Sequence, residues 1–314
     1  MVNPLRIVYF GTPQFAVPTL RHLLDSPHTV VGVVTQPDRP RGRGQKVTEG
    51  PVKTLAVERG LPVFQPAKLR DPATLDTIRR WQPDLGVVAA YGRIIPDALL
   101  EVPRLGMINV HGSLLPKYRG AAPVHRAVID GERETGVTIM RVVHEFDAGA
   151  MMAKAVRPIG PDETSDVLER DLAELGASLL VDVVDRLAAG TATDEPQDPA
   201  LATYAAKITK EDGVIDWTQP APAIHNRVRG LYPWPHAFSH LGGSRLIILR
   251  TRVEDEPTGE TPGTIVDVTR EAIHVAAGNG TRLAIEQLQP EGRRPMTTRE
   301  FTAGHPIRAG ARFS

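Results

Sequence analysis

Three polar residues in this chain are of the types that acyl transfer needs, and their spacing lets them meet. Asn109 and His111 lie two apart in the run Asn109-Val110-His111-Gly112-Ser113-Leu114-Leu115-Pro116, and Asp147 follows in Phe146-Asp147-Ala148-Gly149. A strand alternates its side chains, so residues 109 and 111 project to one side while the strand lasts. An asparagine amide can donate to a developing oxyanion. An imidazole can move a proton or, when protonated, donate to the same oxyanion. A carboxylate can accept a hydrogen bond from one imidazole nitrogen, fix its tautomer and stabilise the imidazolium. No nucleophilic side chain is required. Histidines at strand ends and asparagines before turns also have structural uses, so residue type alone leaves the role of His111 open. His144, beside Glu145, competes as a partner for Asp147, although its place in the chain suggests a turn. After the turn at Gly112, Leu114-Leu115-Pro116 offers an apolar wall of restricted backbone. Such a wall can bury a flat heterocycle while free N–H and C=O groups meet its polar edge.

Other chemistries lack their residues. There is no cysteine, which excludes disulfides, thiolate nucleophiles and Cys-ligated zinc. No H-E-x-x-H and no close histidine pair on one helix face appear, so no metal is expected. Gly11-Thr12-Pro13-Gln14-Phe15 follows an apolar run but is not G-x-G-x-x-G, and a nicotinamide dehydrogenase loses its main support. A Walker A lysine motif and a G-x-S-x-G elbow are also missing. The 37 basic residues balance the 37 acidic ones, which argues against indiscriminate nucleic-acid binding. No apolar run reaches the roughly 18 residues of a membrane span, and the N-terminus has no signal-like apolar core. A cytoplasmic protein without membrane association is expected, and nothing demands more than a monomer.

The elements that must position these residues can be read from periodicity. Arg6–Phe10, Val30–Thr35, Val63-Phe64, Leu85–Ala90 and Met107–Val110 are short apolar runs of the buried-strand type. Between them Phe15–Leu24, Val52–Gly60 and Leu75–Trp81 have helical spacing. The alternation predicts crossover units and a mainly parallel sheet covered on both faces, with ligands beyond the C-terminal strand ends. Asn109 and His111 sit at one such end. Val137–Val143 and Gly149–Val156 predict an edge hairpin, and a long helix follows from Thr164 or Ser165 to Gly190. Thr191 to Thr203, rich in Thr, Asp, Pro and Ala, reads as a linker. Beyond Lys207, strands at 236–241, 245–253, 263–268, 272–277 and 282–288 predict a small barrel, with short helices at 221–228 and 298–303.

These residues are similar to the 10-formyltetrahydrofolate-dependent formyltransferases, whose pattern pairs N-x-H and S-L-L-P with a downstream D-x-G. The resemblance runs through nearly the whole chain. It takes in 10–16 (Phe-Gly-Thr-Pro-Gln-Phe-Ala), 35–40 (Thr-Gln-Pro-Asp-Arg-Pro), Gly42-Arg43-Gly44, 60–66, Ala90-Tyr91-Gly92, 108–122, 134–140, Ile215-Asp216-Trp217 and Pro233-Trp234-Pro235. It implies an α/β fold: a Rossmann-like three-layer formyltransferase domain (1–190), a linker (191–206) and an OB-like C-terminal tRNA-binding domain (207–314). It implies Asn109, His111 and Asp147 as a catalytic trio and Ser113, Leu114, Leu115 and Pro116 as a folate-contacting segment. The implied donor is 10-formyltetrahydrofolate, and the implied acceptor is the amino group of methionine esterified to initiator tRNA, for translation initiation. Ala148 and Ala150 depart from the polar residues that many relatives carry there.

The segment Asp38–Lys53 is basic and glycine-rich and is longer than an ordinary strand-to-helix connection. Alone it reads as a solvated loop. With the resemblance, Arg43 matches a position that approaches the tRNA acceptor stem, and Arg39, Arg41 and Lys46 extend a phosphate footprint. Lys207 and Lys210, with Arg227, Arg229, Arg293, Arg294 and Arg299, predict a basic face on the C-terminal domain. Two alternatives remain: formyl transfer to a small amine (glycinamide ribonucleotide or an amino-sugar nucleotide), and a non-catalytic tRNA-binding protein.

Overall fold

The computed structural model describes residues 3–41 and 46–314. The chain divides into two compact units. The first comprises Met1–Pro123, Glu134–Arg157 and Glu169–Ala205, and the second comprises Val124–Arg133, Pro158–Leu168 and Ala206–Ser314. Up to residue 120 the elements are β1 (Arg6–Gly11), α1 (Val17–Leu24), β2 (Thr29–Val34), β3 (Arg39–Arg41), β4 (Lys46–Thr48), α2 (Pro51–Glu58), β5 (Val63–Phe64), α3 (Pro72–Arg80), β6 (Leu85–Ala89), α4 (Asp97–Leu100), β7 (Met107–His111) and β8 (Arg119–Gly120). Then come α5 (Pro123–Ile129), β9 (Glu134–Arg141), β10 (Met151–Pro158), α6 (Ser165–Ala188) and β11 (Tyr204–Ala205).

Seven strands form one sheet in the order β10-β9-β7-β6-β1-β2-β5. The pairs β5–β2, β2–β1, β1–β6 and β6–β7 are parallel, and β9 runs antiparallel to β7. The parallel strands are covered on both faces, which is why their sequences are unbroken apolar runs. This is the Rossmann-like, mainly parallel α/β architecture. Against it α6 packs closely: a Cβ added at Gly176 would lie 2.8 Å from a Val110 methyl and 3.1 Å from a Val137 methyl. Val110 therefore faces α6, and by strand alternation Asn109 and His111 project from the opposite face.

Two details differ from the sequence reading. The expected loop at 38–53 contains a hairpin, with Arg39 opposite Thr48 and Arg41 opposite Lys46. Its strands carry proline and alternating charge rather than apolar residues, so composition reads them as loop. Arg43 lies outside the described residues. The one-turn helix α4 was also unanticipated, and it is fixed by burial of Leu99.

In the second unit α7 (Ala221–Gly230) precedes β12 (Ala237–Leu241), β13 (Ser244–Glu254), β14 (Ile265–Val268), β15 (Ile273–Ala276), β16 (Arg282–Pro290), β17 (Met296–Thr297) and α8 (Thr298–Gly304). The antiparallel order is β12-β13-β16-β15-β14, with β17 beside β16. The chain end joins the two outer strands: Phe313 bridges Leu241 at the end of β12, and Arg312 bridges Thr264 just before β14. Leu246, Ile248, Ile265, Ile273, Val275, Leu283, Ile285 and Leu288 fill the interior. Trp217 packs against Phe313 with the rings tilted by 32° and donates its indole N–H to Ser239 Oγ at 2.9 Å. This is a small barrel-like domain. Among the described residues no helix is long and apolar enough to cross a membrane.

Candidate active site

The end of β7 and the turn before β10 bring His111 and Asp147 together. His111 is only 6% exposed, and its Nε2 lies 2.9 Å from the Tyr118 carbonyl oxygen. A carbonyl only accepts, so Nε2 carries a proton and Nδ1 is the free position. Nδ1 stands 3.8 Å from Asp147 Oδ2, with the two side chains 6% and 11% exposed. That is an ion-pair distance and too long for a hydrogen bond. The sequence reading had Asp147 fixing the imidazole tautomer. Instead the Tyr118 carbonyl does so, at 2.9 Å, while the Asp147 carboxylate stands 3.8 Å from the ring and accepts from the Gly120 amide at 2.9 Å. Asp147 is left as a counter-charge across a gap. His144 is not its competitor, since it is exposed and paired with Asp97 at 3.1 Å.

Backbone geometry explains the local residue choice. Tyr118 and Asp147 have φ of 60° and 50°, and aspartate tolerates that left-handed region better than most residues. Gly120 has φ 121°, and a Cβ there would meet the Ala205 carbonyl oxygen at 2.6 Å. At Gly149 a Cβ would lie 1.8 Å from the Arg141 carbonyl oxygen, which accounts for glycine two residues after the aspartate.

A clamp that sequence reasoning missed holds this turn. The buried Gln197 donates from Nε2 to the carbonyls of Asp147 and Gly149, both at 2.8 Å. Its Oε1 accepts from Arg119 Nε at 3.0 Å, and Arg119 is itself buried. Arg119 lay inside the 108–122 motif, so a signal existed there. Gln197 had none, being one polar residue in a stretch that reads as linker.

Asn109 is half-buried on the same side of β7 as His111. Among the described residues its side-chain amide has no hydrogen-bond partner, so its donors are free. The expected folate-contacting segment is only partly open. Ser113 Oγ donates to the Lys117 carbonyl at 2.7 Å, and Leu115 is buried with Met140 and Met151. Thr138 Oγ1 donates to the Ser113 carbonyl at 2.7 Å and accepts from the Leu115 amide at 3.1 Å. The side chains of Ser113 and Leu115 are thus consumed by the fold, while Leu114 and Pro116 remain half-buried. Beyond the C-terminal end of β6, the strand paired with β7, lies a cleft of about 380 Å³. Ala67, Lys68, Leu69, Arg70, Arg93, Ile94 and Pro96 line it.

The expected basic residues fall into two kinds. Lys53 pairs with both acids of its segment, Asp38 and Glu49. Its hydrogen bond to Asp38 lowers that carboxyl and raises the Lys53 ammonium. Arg39 is exposed, with no acid partner among the described residues, and Arg41 and Lys46 pair through their backbones. In the second unit Lys207 and Lys210 are exposed and make no ion pair among the described residues. Arg229, by contrast, is buried and donates to the Gly160 and Glu163 carbonyls at 3.0 Å, and Arg294 pairs with Glu300. Arg229 thus belongs to the fold rather than to an open basic face, while the Arg294 side chain stays exposed beside its partner. Among the described residues no group of three or more His, Asp or Glu is arranged to hold a metal ion.

Comparison with known proteins also divides the chain in two, although residues 124–133 and 158–168, which belong to the second compact unit, fall within the first profile. The formyl transferase profile matches residues 5–184, and the formyl transferase C-terminal domain profile matches 207–306. A methionyl-tRNA formyltransferase of Geobacter sulfurreducens is 49% identical over 98% of this chain and 96% of its own length. One from Methylococcus capsulatus is 47% identical over 98% and 99%. Among solved structures, an N-formyltransferase from Helicobacter canadensis, crystallised with folinic acid and dTDP-3-aminofucose, superposes with a TM-score of 0.69. It covers 91% of this chain and 99% of its own, at 18% identity, which speaks to the fold alone. With both profiles matched in order and relatives nearly half identical from end to end, the chain belongs to the formyl transferase family.

Proposed function

We infer that this chain transfers the formyl group of 10-formyltetrahydrofolate to the α-amino group of methionine esterified to initiator tRNA, in the cytoplasm, for translation initiation. The observation that carries this reading is the 49% identity, over nearly the full length of both chains, to a protein named for that reaction. The open geometry around His111 supports it.

An α-amino group titrates at about 7.7–8, and the neighbouring ester lowers it further, so a neutral amine is available near pH 7. In the proposed step the amine nitrogen bonds to the formyl carbon and the carbon–folate nitrogen bond breaks. The amine proton passes to the departing folate nitrogen. The free Asn109 amide donates to the oxygen that becomes negative. His111, with Nε2 committed to Tyr118, works through Nδ1. It either donates to that oxygen or relays the proton, and the Asp147 carboxylate faces the charge that results. The reaction as written uses no metal and no covalent enzyme intermediate. Leu114, Pro116 and the cleft after β6 suit a flat heterocycle, with Lys68, Arg70 and Arg93 suited to an anionic tail. Arg39, Arg41, Arg43, Lys46, Lys207 and Lys210 are the proposed phosphate contacts, and the monomer is the acting unit.

One incubation tests the reading. Formyl-labelled 10-formyltetrahydrofolate is offered charged initiator tRNA, charged elongator tRNA, glycinamide ribonucleotide and an amino-sugar nucleotide. Label on methionyl-initiator tRNA is expected. Label confined to a small amine, or tRNA binding with no transfer, would overturn it.

A further inference from the structure

Tyr204 is 71% exposed, and Leu201, three residues earlier, is 61% exposed. A large ring left in water gives up the stabilisation that its burial would bring. No hydrogen bond or ring contact engages the Tyr204 side chain among the described residues. Its backbone, in contrast, is firmly held. Tyr204 pairs with Arg119 in the β8–β11 ribbon. Next to it the Thr203 carbonyl accepts from the Arg119 amide at 2.8 Å, and Thr203 Oγ1 accepts from the Tyr118 amide at 2.9 Å.

The place of this ribbon gives the exposed ring its meaning. Arg119 stands between two residues that orient the site: Tyr118, whose carbonyl accepts from His111, and Gly120, whose amide holds Asp147. Neighbouring strands lie about 4.8 Å apart, so Tyr204 sits one strand spacing from that pair of contacts. An aromatic ring on a fixed backbone, open to solvent on the rim of a reaction site, has the form of a stacking platform.

We propose that Tyr204 stacks on the terminal nucleobase of the aminoacylated acceptor and so positions the amine for attack. This rests on the reading that the acceptor amine is esterified to tRNA. The short ester linkage that delivers the amine to His111 also delivers the terminal adenosine to the rim. A nucleobase offers a flat face to an open ring, whereas a methionine side chain would call for an enclosed apolar pocket. Stacking adds affinity for any base at that position. Tyr204 is thus a positioning residue and not a proton donor.

The test uses the full chain and three acceptors: charged initiator tRNA, methionine esterified to adenosine, and methionine methyl ester. Tyr204→Ala is expected to raise KM about ten-fold for the two adenosine-bearing acceptors, as for one lost base–aromatic stack, with kcat little changed. The methyl ester, which has no base, should react as with the unaltered chain. Tyr204→Phe and Tyr204→Trp should retain near-normal KM, and Tyr204→Leu should behave like Tyr204→Ala, which guards against one misfolded variant. Equal losses on adenosine ester and methyl ester would overturn the proposal, because the ring would then serve the methionine part or merely shape β11. Unchanged KM for every acceptor would overturn it too. If the unaltered chain fails to formylate any methionyl-tRNA, the functional reading fails instead, and the control identifies that case.

Discussion

Two buried histidine–carboxylate pairs invite comparison, one at the end of the parallel sheet and one in the barrel. In the barrel, His274 Nδ1 lies 2.9 Å from Glu254 Oε2, and its Nε2 lies 3.2 Å from Thr269 Oγ1. Arg282 and Arg252 also reach Glu254, at 3.4 and 3.5 Å. In the sheet, His111 stands 3.8 Å from Asp147, with an unpartnered Asn109 amide on the same side of the strand. The burial is comparable, at 11% and 12% against 6% and 11%. In the tighter pair both nitrogens of the histidine are engaged, by Glu254 and by Thr269. The looser pair has a spare nitrogen position, a spare amide and a gap. Density of titratable groups therefore does not set the proposed site apart; an imidazole nitrogen and an asparagine amide left without partners on one side of a strand do. Catalytic contacts are commonly long until substrate atoms complete them.

The largest predicted effects set these two pairs against each other. Asn109→Ala and His111→Ala should each lower kcat by about 10²–10³-fold, the usual result of losing one oxyanion donor, or about 2.7–4 kcal/mol. Thermal melting should barely move for Asn109→Ala, whose side chain makes no hydrogen bond among the described residues, whereas His111→Ala should also cost about 1–3 kcal/mol because the Tyr118 carbonyl loses its donor. His274→Ala should do the reverse of Asn109→Ala. Turnover stays near normal, and stability falls by about 1–3 kcal/mol because Glu254 and Thr269 lose a partner. Kinetics and melting curves on the same three variants check both halves. A His274 variant that folds yet loses turnover would erase the distinction between closed and open pairs.

What the sequence made legible follows the same physical division. β1, β2, β6 and β7 are buried on both faces, and their apolar runs announce them. Asn109, His111 and Asp147 stood out because their side-chain types are those the proposed chemistry needs. The groups that aim them did not. The Tyr118 carbonyl and the Gly120 amide are backbone atoms, and every residue has those. They point at the site because of positive φ, which the sequence hints at only through Gly120. Gln197 acts across 50 positions of chain, so its use depends on how residues 191–205 fold back. Composition cannot see this. Barrel closure by Arg312 and Phe313 is likewise hidden, since two bridging residues are too few to show a period.

Gln197 gives the next prediction. It closes one side of an otherwise open site, so removing it should affect both fold and turnover. Gln197→Ala strands the Asp147 and Gly149 carbonyls and the Arg119 guanidinium in a buried place. A stability loss of about 1–3 kcal/mol is expected, with kcat reduced as the Asp147 turn loosens. If melting falls and kcat stays, the clamp holds the fold without setting the position of Asp147.

Charged residues repeat the contrast between open and closed. Lys207→Ala and Lys210→Ala should each lower the salt slope of tRNA binding by about one and raise KM, as for a lost phosphate contact. Arg43→Ala and Lys46→Ala should act in the same direction. Arg229→Ala, in which a guanidinium already spent on buried carbonyls is removed, should destabilise the second unit without changing the slope. Equal slopes for all five variants would show that exposure on its own does not select the phosphate contacts.

The mildest test concerns the closed cluster that starts α8. Thr297 Oγ1 accepts from the Glu300 amide, and the Glu300 carboxylate accepts from the Thr297 amide, a reciprocal cap. Thr297→Ala should cost about 1 kcal/mol of stability. The Arg294 guanidinium, then the Thr297 amide, hold the Glu300 carboxyl at about 2, down from 4.5. A carboxyl depressed in the folded chain stabilises above its unfolded value and loses that contribution as pH falls through its folded value. The melting difference between the unaltered chain and Glu300→Gln should therefore be full above pH 4.5 and close as pH approaches 2. Because the group is exposed, salt should shrink the difference throughout. A difference that survives at pH 2 and in high salt would mean that Glu300 acts through shape and hydrogen bonding instead of charge.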